Sequence, residues 1–230
     1  MNCKRSSAFS LVELLIVVAI IGVLAALAFP VFQKVLLTGK KTACASNLRQ
    51  IGIALMTYAA ENDQHLPETS HTAAIGQSWI FALESYLGNV DKVRLCPADP
   101  KAADRLEAKG TSYVMNSYLF VPEFDSQGES LGGIGNNLLK VNNRSGTIMA
   151  FIISDHADVS DSEDHTHSSS WTSWNAVTQD ISPDRFTTSK RADHSLGTSN
   201  YLYSDGHVES HLSSVIKARI EAGDNIALPR

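Results

Sequence analysis

The chain has 230 residues, with 19 Lys and Arg against 24 Asp and Glu, for a net charge of −5. That balance gives no electrostatic case for a nucleic-acid partner, and none is expected. A hydrophobic content of 43% with 19% charged residues is that of a folded protein with a real core, and three cysteines (Cys3, Cys44, Cys96) without a C-x-x-C pair are too few for a disulfide framework and lack the spacing of a zinc module.

The first element is an apolar run from Phe9 to Phe32, interrupted near its start by Ser10 and by the carboxylate of Glu13. It is long enough to cross a hydrocarbon core of about 30 Å as a helix rising about 1.5 Å per residue. Lys4 and Arg5 precede it and favour the cytoplasmic side. Three readings compete. A secretory signal peptide would use the small-x-small site Ala26-Leu27-Ala28 for cleavage. A plain anchor needs no cleavage. Neither accounts for Glu13, because a carboxylate inside an apolar helix is costly unless a partner neutralises it.

The third reading rests on Ala8-Phe9-Ser10-Leu11-Val12-Glu13 leading directly into the apolar run. This stretch resembles the processing site of type IV prepilins and type II secretion pseudopilins. The resemblance implies that a prepilin peptidase cuts between Ala8 and Phe9, where Gly is more usual before the cut, and methylates the new N-terminus at Phe9. It also implies that Glu13 registers against the N-terminal amine of a neighbouring subunit. Gly22 and Pro30 fall where this family commonly has them, and Pro removes a helical hydrogen bond and can kink the helix. The expected organisation is a basic leader over 1–8 that is removed, a transmembrane and filament-core helix over 9–33, a soluble half of that helix over 34–62, and a globular domain over 63–230.

Beyond a polar stretch at 38–41, Cys44, Leu48, Ile51, Leu55 and Tyr58 recur at steps of three and four, which continues the helix to about residue 62 with one face on a core. Residues 63–77 read as loop. Trp79, Leu83, Tyr86 and Leu87 predict a helix over 78–87 stopped by Gly88-Asn89. The segment 93–100, VRLCPADP, is turn-rich. Residues 111–120 read as a strand, 123–146 as a Gly- and Asn-rich loop, and the continuous apolar run 147–154 as a buried central strand.

The stretch 155–170 is rich in Asp, His and Ser, and plain solvation is its expected state. Its alternative is a site for calcium or another divalent metal, with Asp155, His156, His165 and His167 as candidate ligands beside Asp158, Asp161 and Asp164. Asp205-Gly206 between two β-prone runs predicts a two-residue type I′ hairpin with Ser204 facing His207 and Tyr203 facing Val208. A short helix over 213–221 ends before Gly223. The fold class is α+β: a long N-terminal helix packed on an antiparallel sheet.

The segments 44–62, 95–100, 112–116 and 192–210 together are similar to a branch of pseudopilin-like proteins that ends in a processing-associated motif of His, nine residues, then Asp-Gly. Here His194 and Asp205-Gly206 are separated by ten residues, the extra one being absorbed at Gly197. His194, Asp205 and His207 are read either as a small metal site or as turn chemistry. Cys44 and Cys96 either pair in an oxidising compartment or stand as buried thiols.

No G-x-S-x-G elbow, H-E-x-x-H helix or P-loop occurs, so no enzyme activity and no cofactor are expected. The resemblance implies a single-pass protein of the bacterial inner membrane with its C-terminal domain outside the cytoplasm. Its implied partners are the prepilin peptidase, other pilin or pseudopilin subunits and an inner-membrane assembly platform driven by a cytoplasmic ATPase. The alternative is a membrane-tethered surface or binding protein that uses prepilin processing only for export and anchoring.

Overall fold

The computed structural model describes residues 10–70, 78–121, 134–160 and 162–230. One helix, α1 (Leu11–Glu61), takes 51 residues, about 76 Å at 1.5 Å each. Ser10 starts it. The Ser10 Oγ accepts from the Val12 N–H at 3.3 Å, and the Ser10 N–H donates to Glu13 Oε2 at 2.9 Å, forming a capping box. The helix continues through Pro30, whose ring nitrogen has no hydrogen to give. The polar stretch does not end it either. Thr38 and Thr42 turn their hydroxyls back onto the carbonyls of Lys34 and Thr38, at 2.9 and 3.0 Å. Its end is set by Asn62, whose Nδ2 donates to the Tyr58 carbonyl at 2.8 Å, and by positive φ at Asp63 and Gln64.

The two halves of α1 differ completely in what they touch. Every large apolar side chain from Leu11 to Leu36 is between 45% and 84% exposed. From Cys44 onward the expected stripe is buried: Cys44, Leu48, Ile51 and Leu55, with Gly52, Ala54 and Ala59 beside them. Tyr58 is half-buried, edge-on to Tyr86.

This stripe lies on a four-stranded sheet of order β1-β2-β3-β4, antiparallel throughout: β1 (Tyr113–Met115), β2 (Ile148–Ile152), β3 (Thr198–Tyr203) and β4 (Val208–Leu212). All of β2 is buried, as its unbroken apolar run predicts. The reason is that both sheet faces are covered. Tyr113, Met115, Ala150, Ile152 and Leu202 pack toward α1. Val114, Phe151, Tyr201 and Tyr203 pack toward a second layer built from Trp171, α7 (Trp174–Asp180) and α8 (Ser213–Glu221). An irregularity between Ile148 and Ala150 shifts the β2–β3 register. The helix over 213–221 and the stop at Gly223 (φ +81) are found as expected.

Four expectations need correction. The helix over 78–87 is two short ones, α2 (Trp79–Ala82) and α3 (Glu84–Leu87), divided at Leu83 before the stop at Gly88 (φ +65). The strand over 111–120 keeps only its residues 113–115. Buried Asn116 then donates to the carbonyls of Ile148 and Ala227, both at 2.7 Å, and its Oδ1 caps α6 (Ser117–Phe120) at the Tyr118 N–H. The β3–β4 loop has three residues, not two. Leu202 faces Val208, the Gly206 N–H donates to the Tyr203 carbonyl at 2.9 Å, and only Gly206 of the loop has positive φ (+88). That is a type I turn closed by a glycine bulge, which moves the register one residue from a type I′ hairpin.

The fourth correction concerns 155–170. Asp164, His165, Thr166 and Ser168 are buried, not solvated. The Met115 N–H donates to the Asp164 carbonyl at 2.9 Å and the Thr166 N–H to the Met115 carbonyl at 2.8 Å, so this segment seals the outer edge of β1. Asp164 also takes the Ser70 N–H and hydroxyl, each at 2.9 Å, and its carbonyl takes the Trp79 indole N–H at 3.0 Å.

The turn-rich 93–100 is held by buried charge, with α4 (Val90–Val93) before it and α5 (Ala102–Glu107) after it. Arg94 ion-pairs with Asp91 at 2.8 Å and donates to the carbonyls of Arg105, Leu106 and Gly110. Arg105 Nε meets Asp99 Oδ2 at 3.0 Å, and both side chains are fully buried. Asp99 also accepts from the Ser112 hydroxyl at 2.6 Å and the Lys101 N–H at 2.9 Å.

Candidate functional site

The residues expected to carry function fall into four places: the start of α1, the cysteine pair, the ends of the β3–β4 hairpin, and the Asp- and His-rich segment after β2. Ala8 and Phe9 lie outside the described residues, as do Cys3 and Asp161. Glu13 sits in the first turn of α1, and its carboxylate closes the capping box with Ser10. A helix N-terminus favours a negative group, so Glu13 also has a role inside its own chain as a capping residue. The signal that finds it is Ser-x-x-Glu before an apolar run, here Ser10 to Glu13. Nothing lies within 4 Å of a side chain built at Gly22 or Gly39, so α1 presents bare backbone there.

One helix among the described residues is long and apolar enough to cross a membrane by length and composition, and it is α1. Its apolar window buries nothing inside this chain. Apolar area of that extent is covered by lipid or by other helices in any stable arrangement.

Cys44 on α1 and Cys96 in the turn-rich segment are brought together in the core as free, buried thiols, close enough to influence each other's protonation. Burial and the neighbouring sulfur push the Cys44 thiol well above its usual value. The Tyr113 hydroxyl lies 3.3 Å from Cys44 Sγ, and burial pushes that phenol up as well. The fold thus brings together two candidate residues that lie far apart in sequence.

The hairpin residues are not assembled into one site. His194 precedes β3 and Asp205-Gly206 follows it, so the six-residue strand separates them by about 20 Å. His194, at φ +51, points Nδ1 at buried Asp184 Oδ2 (3.0 Å), and its carbonyl accepts from the Ser213 hydroxyl. Asp205 accepts from the His207 N–H at 3.1 Å, and the His207 ring stacks on Tyr203 at 4.3 Å. Burial alone would raise the Asp205 carboxyl, but hydrogen bonds from His207 outweigh it and hold it below the usual value. The site imagined from His194, Asp205 and His207 is therefore two separate turn anchors. Gly197 is required where it stands: its φ is +129, and a side chain would come within 3.2 Å of the Phe186 and Asp184 carbonyls.

The cluster Asp155, His156, His165 and His167 is likewise dispersed. Asp155 pairs with Arg185 and Lys190, His165 Nδ1 with Asp164 at 2.8 Å, and His167 Nδ1 with Asp180 at 3.5 Å, while the His156 ring lies against His194. Among the described residues, no group of three or more His, Cys, Asp or Glu side chains is arranged to hold a metal ion.

Comparison with known proteins bears on the first place alone. Residues 3–29 match the model of the prokaryotic N-terminal methylation motif. Over 61 residues the chain is 41% identical to the type IV major pilin protein PilA of Myxococcus xanthus (strain DK1622), a stretch covering 26% of this chain and 28% of that relative. The chain thus spans little more than a quarter of the curated relative it matches. No solved structure matches it. A methylation-motif N-terminus, a pilin-related apolar helix and the packing of that helix on an antiparallel sheet make this chain type IV pilin-like.

Proposed function

We propose that the chain is a pilin-like structural subunit, stored in the bacterial inner membrane and assembled through α1 into a filament of the type IV pilus or type II secretion kind. A prepilin peptidase cuts between Ala8 and Phe9 and methylates Phe9. The basic leader stays cytoplasmic and the head stands outside the cytoplasm. Assembly onto an inner-membrane platform then packs α1 against the helices of other pilin or pseudopilin subunits. The chain performs no chemistry of its own in this reading.

The observation that carries it is the division of α1: residues 11–36 are apolar and exposed, while residues 44–59 of the same helix are built into the core of the head. A helix that is half core cannot leave the head, so the exposed half must be covered from outside, by lipid first and by neighbouring helices afterwards. Once Phe9 is the N-terminus, its ammonium lies near Glu13. A carboxylate and an ammonium on adjacent packed helices offset each other's desolvation.

The capping box makes the decisive variant Glu13→Gln. Gln at the same position keeps the hydrogen bond to the Ser10 N–H and removes only the charge. The expected outcome is a protein that is cleaved, carries methyl-Phe9 by mass spectrometry and remains in the membrane fraction, whereas the parent is recovered in sheared filaments. Normal filaments from Glu13→Gln would refute the charge pairing. A mature chain starting at Phe29 would replace the whole reading with signal-peptide export.

A further inference from the structure

A surface pocket of about 600 Å³ opens between α7, the turn after β2 and the loop 190–194. That volume lies in the range of small-ligand sites. Much of its wall is already held by internal bonds. Trp174 Nε1 donates to the Asp193 carbonyl at 2.6 Å, which sets the plane of the indole. The Asp193 carboxylate takes the Ser195 N–H and hydroxyl and Lys217 Nζ, and Asp155 is held between Arg185 and Lys190. Against this wall, Asn175, Gln179, Arg191 and His156 line the pocket with side chains that make no hydrogen bond or ion pair among the described residues. Asn175 and Gln179 are four residues apart, on one face of α7.

A rigid aromatic surface beside free amides is chemistry for a ring with an apolar face and polar edges. The charge adds a second requirement. Asp155 and Asp193 are matched by Arg185, Lys190 and Lys217, so Arg191 is left as a cation without a carboxylate. A guanidinium in that position recognises a planar anion such as a carboxylate through paired hydrogen bonds. The two imidazoles, His156 and His194, are not joined by a third ligand, which argues against a metal as occupant.

We propose that this pocket binds an acidic saccharide, a sugar ring bearing a carboxylate. Trp174 takes the apolar face of the ring, Asn175 and Gln179 take hydroxyls, and Arg191 takes the carboxylate. The site belongs to the head and does not depend on α1 assembling. In a filament it would be repeated on every subunit, and a weak site would gain avidity for a polymeric acidic glycan.

The test uses the full chain in detergent micelles, titrated with galacturonate, glucuronate and mannuronate disaccharides and with neutral maltose, read by tryptophan fluorescence and calorimetry. At least one uronate disaccharide is expected to bind saturably, and about tenfold more tightly than maltose, the worth of one charge-assisted hydrogen bond. Arg191→Gln is expected to erase that preference, and Gln179→Ala to weaken binding of the same disaccharide. Both side chains are exposed, so neither substitution threatens folding; Trp174→Ala is the stronger but less clean variant because the indole also packs on the core. Absence of saturable binding by any uronate at about 10 mM, equal affinity for maltose, or an unchanged preference in Arg191→Gln would each overturn the proposal.

Discussion

Replacing Asp99 by Ala strips a fully buried guanidinium of its counter-ion. Arg105 keeps two carbonyl partners, Asp158 at 2.6 Å and Ser154 at 3.3 Å, but these are dipoles and leave its charge without a direct counter-ion. Breaking a buried pair from one side costs about 3–5 kcal/mol. The Ser112 hydroxyl and the Lys101 N–H lose their acceptor as well, each worth about 1 kcal/mol. Burial of Arg105 already lowers its affinity for its proton, with Asp99 as the largest opposing influence. A loss of about 5 kcal/mol, the low end of that sum, is expected for Asp99→Ala, and about half of that for Asp99→Asn, which retains shape and one acceptor. Urea unfolding of the full chain in detergent, followed by tryptophan fluorescence of the head, gives the numbers by linear extrapolation. The decisive comparison is the double variant Asp99→Asn with Arg105→Met, which removes both charges together. It should be more stable than the sum of the single losses predicts, by about 2 kcal/mol. Additive losses, or an Asp99→Ala chain within about 1 kcal/mol of the parent, would show that the pair does not hold the 94–112 segment.

Three further outcomes follow from the same packing. A Cβ at Gly52 would meet Leu202 Cδ1 at 2.8 Å and the Gly206 carbonyl at 3.3 Å, whereas Gly39 has nothing within 4 Å. Gly39→Ala should therefore stabilise the monomer by up to about 1 kcal/mol through helix propensity, while at Gly52 about 1–3 kcal/mol of overpacking cancels or reverses that gain; equal gains at both positions in urea melts would refute the close approach. His211, whose Nε2 lies 2.7 Å from the Tyr203 hydroxyl, is pushed below its usual value by burial, with Glu209 opposing and Arg219 and His207 assisting. Because the folded state binds that proton less readily, its contribution is complete above about pH 6.5 and is lost as pH falls through the lowered value; His211→Gln should flatten the stability profile in that acid window. Protein taken from an extracytoplasmic compartment should show a Cys44–Cys96 disulfide as a faster band on non-reducing gels, absent in Cys44→Ser and in Cys96→Ser, and closing that loop of about 50 residues is worth about 4 kcal/mol against the reduced chain. An unshifted band with two alkylatable thiols after unfolding would count against the bond.

Much of the fold can be read locally. The 3.6-residue period places Cys44, Leu48, Ile51 and Leu55 on one face because helical geometry repeats at that interval whatever the helix packs against. The unbroken apolar run of β2 announces burial on both faces, and Gly223 marks the end of α8 through its own backbone preference. The hairpin shows the limit of such reading. Asp205-Gly206 correctly locates the turn, yet a type I′ loop and a three-residue loop with a glycine bulge fit the same two residues, and strand pairing decides the register.

The polar residues followed the opposite rule. Asp164, His165 and Thr166 have the composition of a solvated loop, and they are buried because the open edge of β1 needs hydrogen-bond partners. Asp99 with Arg105, Asn116 with two distant carbonyls, and His194 with Asp184 are contacts between segments whose local sequence carries no mark of the other.

What the sequence by itself determined is roughly the N-terminal quarter: the methylation-motif pattern, the apolar helix, the Ser10-to-Glu13 capping signal, and the core stripe. These are properties of consecutive residues, legible without knowing what they pack against. Only the tertiary structure decided that Cys44 meets Cys96, that His194 and Asp205 stand at opposite ends of a strand, and that Trp174, Gln179 and Arg191 line one pocket. Hydrophobic and helical periodicity is a short-range signal, whereas the pairing of polar groups is fixed by which segments the folded core brings side by side.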